Sequence, residues 1–211
     1  MKGRRFIDFA ASRSNPIEAG SRDAYHPPAM SDDAKYLDTF PNWLRNLGHD
    51  AEELAELLTV DDVSKNAGEA IAGGLNYLFK SLDLIPDGID DIGYLDDAFV
   101  LRVASDLTSQ EDTGSASGAQ LEIVAKLTKD CDLIREFLGK DYGRLEAYVK
   151  GLRNGAARGR SVNDILGQED VRKEFLSDVR GFAKTYESPS FAREEKNLIK
   201  LKAFFDAKLP K

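Results

Sequence analysis

The chain has 211 residues, a formal net charge of −8, and 42% hydrophobic against 31% charged side chains, the balance of a soluble globular protein. One cysteine and two histidines exclude an internal disulfide and the usual zinc ligand sets. The acidic surplus argues against nucleic acid as a partner, because phosphate binding needs clustered Lys and Arg, and no run approaches the roughly 18 apolar residues of a membrane-spanning helix.

Residues 1–30 mix Pro16, Pro27, Pro28 and Gly20 with scattered charges and no period, which predicts a flexible leader. Asp8 breaks the first apolar stretch too early for a secretory signal, so a cytoplasmic location is expected. Met30 precedes the first periodic segment and is a second candidate start beside Met1. Peripheral membrane contact, if there is any, falls to this leader.

Phe40, Trp43, Leu44 and Leu47 predict a short amphipathic turn with Pro41 near its start. From Ala67 to Phe79 the apolar residues recur at helical spacing, and Gly73 and Gly74 on this helix imply another backbone passing close by. A second helix begins near Tyr94. Its residues Leu95, Phe99, Val100, Val103, Ala104 and Leu107 cover one side, Ala98 and Leu101 the other, so it belongs at the centre of the core. The stretch 109–120 reads as a linker. Beyond it, further helices are predicted through Leu121 to Leu138, Leu145 to Leu152, Val171 to Tyr186, and Leu198 to Phe205. Lys150, Arg153, Arg158 and Arg160 lie on a glycine-broken connection read as a solvated loop. No strict alternation predicts a strand. Cys131 sits on a helical apolar stripe, as a buried, inert thiol would.

The expected fold is therefore all-α: a compact multi-helix bundle around a central helical hairpin, preceded by the leader. Three regions are distinguished, 1–30, an acidic helical region 31–112, and a helical region 113–211 that packs on it. Residues 31–112 carry five Lys and Arg against nineteen Asp and Glu, whereas 113–211 carry nineteen against fifteen, so the two should attract each other.

The hairpin's turn, "SLDLIPDGIDDIGYLDD" at 81–97, holds six aspartates with no Lys or Arg between Lys80 and Arg102. Pro86 stops any helix from running through. Leu84, Ile85, Ile89 and Ile92 are spaced to plug the end of the two-helix core. Asp83 or Asp87 suits hydrogen bonds from free amides at the turn or helix start, Gly88 and Gly93 supply backbone conformations that other residues resist, and Asp96 and Asp97 stand in the first turn of the next helix, where negative charge is favoured. Asp90 and Asp91 are left without a local role. Metal templates fit poorly: the isoleucines interrupt an EF-hand spacing and no glutamate closes it, and "DDIGYLD" has only the outline of the aspartate-rich motif of helical prenyl-diphosphate enzymes.

Residues 75–107, extended upstream to about 66, resemble the YkvA-like family, a domain of unknown function. The likeness rests on Asp83, Leu84, Ile85, Pro86 and Asp87, then Gly93, then Asp96 and Asp97 in order and spacing. Ser81 and Asp90 depart from it, each standing where prolines are usual. The resemblance implies no activity and no cofactor, and it favours an accessory or interaction role. The expectation is thus a noncatalytic helical interaction or scaffold module whose partner is another protein or a second copy, with Asp83, Pro86, Asp87, Gly93, Asp96 and Asp97 as family-motif and candidate contact residues. The alternative is a hydrolase or transferase that uses Mg or Ca at the acidic turn.

Overall fold

The computed structural model describes residues 33–211, so the leader and both candidate starts lie outside the described residues. The chain is all-α: nine α-helices are found among the described residues, with three short 3-10 turns and one two-stranded ribbon.

Helix α1 (Ala34–Ala55) buries Tyr36, Leu37, Phe40, Trp43, Leu44, Leu47, Ala51 and Leu54 along one stripe. It is a full helix rather than the short turn expected. Pro41 lies inside it and deprives only one carbonyl of its donor. Gly48 is part of the stripe because a Cβ there would stand 3.1 Å from the Ala183 Cα. Helix α2 (Lys65–Tyr77) starts at Ser64, whose hydroxyl accepts from the Ala67 amide, a normal N-terminal cap. Helix α3 (Leu95–Ser109) is buried without a break from Leu95 to Ser105, as its all-round apolar pattern requires.

Helices α2 and α3 form the hairpin. A Cβ on Gly74 would meet the Ala104 Cβ at 2.6 Å, so only glycine allows this closeness. Gly73 faces the backbone of Leu152 and Arg153 at 3.2 Å, the neighbouring chain that the paired glycines imply.

The expected helix from Leu121 to Leu138 is two helices, α4 (Gly118–Lys129) and α5 (Cys131–Leu138), with Asp130 between them. A reciprocal cap between Ser117 and Gln120 opens α4. Leu121, placed on the core stripe by its spacing, is exposed. Helix α6 is Tyr142–Gly151. The basic connection after it is solvated only in part: Lys150, Arg153 and Arg158 are exposed, but the chain forms a ribbon and Arg160 is buried. Strands β1 (Ala156–Ala157) and β2 (Arg160–Ser161) pair antiparallel around Arg158 and Gly159, both at positive φ as a tight hairpin needs. Arg160 is buried and bonded to Asp178 at 2.5 Å, and the Arg158 guanidinium lies 4.6 Å from the Phe79 ring centre. Helices α7 (Val162–Gly167), α8 (Glu169–Thr185) and α9 (Glu195–Lys208) complete the chain.

One continuous core joins these elements. At its aromatic heart Phe99 of α3 stacks on Phe205 of α9 at 5.2 Å and meets Phe40 of α1 edge-on at the same distance, while Phe137 of α5 packs on both Phe40 and Phe99. No helix among the described residues is long and apolar enough to cross a membrane.

Candidate functional site

The acidic turn joins α2 to α3, and its shape follows from three polar contacts. Tyr77, the last residue of α2, donates its phenol to Asp96 Oδ2 at 2.6 Å and accepts the Leu84 amide at 2.7 Å. Asp96 Oδ2 also accepts the Ile85 amide at 2.9 Å. Asp96 thus holds the Leu84–Ile85 strand of the turn against both helices. This leaves Leu84, Ile85 and Ile92 fully buried, with Ile89 packed at the edge, so the interleaved aliphatics do plug the hairpin.

Past Pro86 the backbone winds in single turns, the Ile89 amide donating to Pro86 and the Gly93 amide to Ile89. Gly93 runs against the chain it follows: a Cβ there would sit 2.2 Å from the Asp87 carbonyl oxygen. Its role is close approach rather than an unusual φ. The left-handed positions are Asp91 (φ 69°) and Tyr94 (φ 65°), and Gly88 faces open space.

The six aspartates separate by depth. Asp96 and Asp97 are buried, Asp83 is half-buried, and Asp87 and Asp90 reach the surface. Asp91 Oδ1 accepts the Ala192 amide at 2.9 Å, a long-range role that sequence spacing did not offer. Above the turn, Tyr94 meets Tyr186 edge-on at 5.3 Å, and Phe79 meets Phe175 and Phe182, so the end of α8 and the residue after it roof the site.

Burial reverses the expected electrostatics. Asp96 and Asp97 do lie in the first turn of α3, but loss of solvent, not the helix dipole, dominates. Desolvation pushes Asp96 up to about 6, opposed by its bonds from Tyr77 and Ile85. Asp97 rises well above the ordinary carboxylate range through burial and then through Asp96, Asp87 and Asp83. Asp83 is raised to about 7 by desolvation and then by Asp96 and Asp87, with Lys80 pulling the other way. Desolvation also raises Asp87, countered by the Tyr94 hydroxyl. Asp83 Oδ1, Asp96 Oδ1 and Asp97 Oδ2 have no hydrogen-bond partner within the protein. The amide bond expected of Asp83 or Asp87 is not formed by Asp83 Oδ1. Such groups favour the neutral acid.

Among the described residues, no three His, Cys, Asp or Glu side chains converge closely enough to hold a metal ion. Of the candidate contact residues, Asp83, Pro86 and Asp87 reach solvent, whereas Gly93, Asp96 and Asp97 lie beneath it and position the turn. Between Lys80 and Asp83, Leu82 projects outward with 85% of its surface exposed.

Spacing alone missed Tyr77 as the centre of this network and missed a second buried one. Arg102, on the far side of α3, donates to Asp130 at 2.9 Å, to Asp50 at 3.3 Å and to the Ala98 carbonyl at 3.0 Å, and lies 4.1 Å over Trp43. Lys126 closes it on Asp50 at 2.8 Å. One signal was present: an arginine on a helix apolar all round must find acids inside the protein.

A family model described as "Protein of unknown function (DUF1232)" matches residues 70–102, which span the end of α2, the acidic turn and the first half of α3. The chain is also similar to the sulfite reductase [NADPH] hemoprotein beta-component of Geobacillus kaustophilus and to that of Geobacillus thermodenitrificans, 26% identical over 117 residues in each case. Those matches take in 56% of this chain but only 18% of either relative. No solved structure matches.

Proposed function

We propose that this chain, a DUF1232 protein through residues 70–102, works as a noncatalytic helical interaction module in the cytoplasm. One observation carries the reading. The motif's acids turn inward, Asp96 to Tyr77 and the Ile85 amide and Asp97 into the core, while Leu82 stands out at the tip. The motif therefore reads as a device that builds a rigid tip, and the tip, with Asp83, Pro86 and Asp87 beside it, is the part a partner meets. A reducing compartment suits the one cysteine, buried Cys131, whose thiol burial pushes up to about 12.

The chemistry in the names of the Geobacillus proteins is not carried over. The match covers less than a fifth of their length.

The competing reading is a hydrolase or transferase that holds magnesium or calcium at the turn. Calorimetric titration of the full chain with magnesium, calcium and manganese separates the two. The module reading expects no saturable heat from any of them. Stoichiometric binding that disappears in both Asp83→Asn and Asp97→Asn would replace it with the metal-dependent one.

A further inference from the structure

Beside the tip lies an open groove of about 540 Å³ over α6. Its floor is Gly143, Ala147 and Gly151, three small exposed residues one turn apart, and Tyr148 and Leu152 form part of its wall. Its charged lining residues are Lys80, Arg144 and Lys211, all basic. Arg144 is already engaged by Asp141 and Asp206. Lys80 is not: among the described residues it pairs with no carboxylate within ion-pair distance, and its ammonium donates to the Tyr148 hydroxyl at 3.0 Å. A second, smaller hollow adjoins the groove, sharing Lys80 and continuing from Gly155 to Ala156, and Leu82 stands on its edge. One face thus carries an exposed apolar knob and an apolar groove, with Lys80 between them.

We infer that this face is a self-association surface, in which Leu82 of one copy enters the α6 groove of a second copy and the second copy returns the contact. The inference rests on the module reading and names its partner. Two observations select a second copy. A two-fold contact requires one patch that is complementary to itself, and knob and groove lie together here. Charge agrees as well. The segment that carries Leu82 continues into Asp87 and Asp90, which reach the surface, with no Lys or Arg before Arg102, and it would arrive at a groove whose lining includes Lys80, which no carboxylate engages within ion-pair distance.

Sedimentation of the full chain over a wide range of concentration is the test. Wild type is expected to shift from monomer to dimer as concentration rises, and the shift should weaken in high salt, since the charged part of the contact is solvent-facing. Leu82→Asp and Ala147→Trp should each sediment as monomer with an unchanged melting midpoint, because both positions are exposed. An equal mixture of the two variants should regain part of the dimer, since one unmodified knob can still enter one unmodified groove. A wild type that stays monomeric throughout, or variants that dimerise as wild type does, would overturn the inference. Either result leaves the module reading to the metal titration, so the two fail separately.

Discussion

Asp97 shows how far burial can reverse a residue's local expectation. In the first turn of a helix a carboxylate is ordinarily favoured by about 0.3 to 1 kcal/mol. Here the side chain is buried beside Asp96, Asp87 and Asp83, and its Oδ2 has no partner within the protein. A folded-state pKa raised above the unfolded one contributes stability that is complete below the unfolded value, near 4, and is lost as pH rises through the folded value. With Asp96 near 6 and Asp83 near 7, the cluster's contribution should decline between about pH 4 and pH 7. Asparagine at 97 mimics the neutral acid. Asp97→Asn is therefore expected to raise the melting midpoint at pH 8 by roughly 2 to 4 °C, as about 1 kcal/mol does in a domain of this size, and to change it little at pH 4.5. Thermal melts at the two pH values check this, and equal effects at both would show that the charge is not the cause.

At the scale of elements, the α2–α3 turn depends on backbone packing that glycine alone permits. Only one of its two glycines is under that constraint. Gly93→Ala places a methyl 2.2 Å from the Asp87 carbonyl oxygen, and a backbone oxygen cannot swing aside as a side chain can. The expected loss is about 3 kcal/mol or more, among the large single-residue effects. Gly88→Ala, with nothing within 4 Å, should stay within about 0.5 kcal/mol of wild type. Urea denaturation of the pair measures both, and similar losses would refute this account of the turn. The motif order named Gly93 but did not separate it from Gly88, because a close approach depends on how the chain folds back. The aliphatics were legible: Leu84, Ile85 and Ile92 had no other use in so polar a segment, and they are buried. Helix α1 was underestimated because polar residues such as His49, Glu52 and Glu53 mask the stripe that Ala51 and Leu54 continue.

Across the whole molecule, opposite charges join the acidic and basic portions of the chain. Lys126 and Asp50, Arg102 and Asp130, Arg180 and Glu56, and Arg193 and Asp38 all pair between 31–112 and 113–211. The two surface pairs contribute little, as exposed ion pairs do. The Arg102 group differs, since Arg102 and Asp50 are buried where α1, α3 and α4 meet. Desolvation lowers the Arg102 pKa, while Asp130 and Asp50 oppose that shift. Arg102→Ala leaves Asp50 buried with Lys126 as its remaining cation, and removing one partner of a buried pair costs about 3 to 5 kcal/mol. The loss should appear in urea denaturation and should vary little with added salt, because buried charges are weakly screened. A loss below about 1 kcal/mol would mark the network as dispensable.

By itself the sequence determined the all-α class, most helix positions, the central place of α3 and the burial of the turn's aliphatics. Those properties follow from short-range spacing and from the fixed stereochemistry of proline and glycine. Tertiary structure alone decided which aspartates are pushed toward the neutral form, what Tyr77 and Arg102 hold, and that α8 roofs the turn. The reason is physical: desolvation and pairing depend on which distant segments meet, and Asp96 and Asp87, nine positions apart, are both raised by desolvation, yet Asp96 is buried and held by Tyr77 and the Ile85 amide while Asp87 reaches the surface beside the Tyr94 hydroxyl.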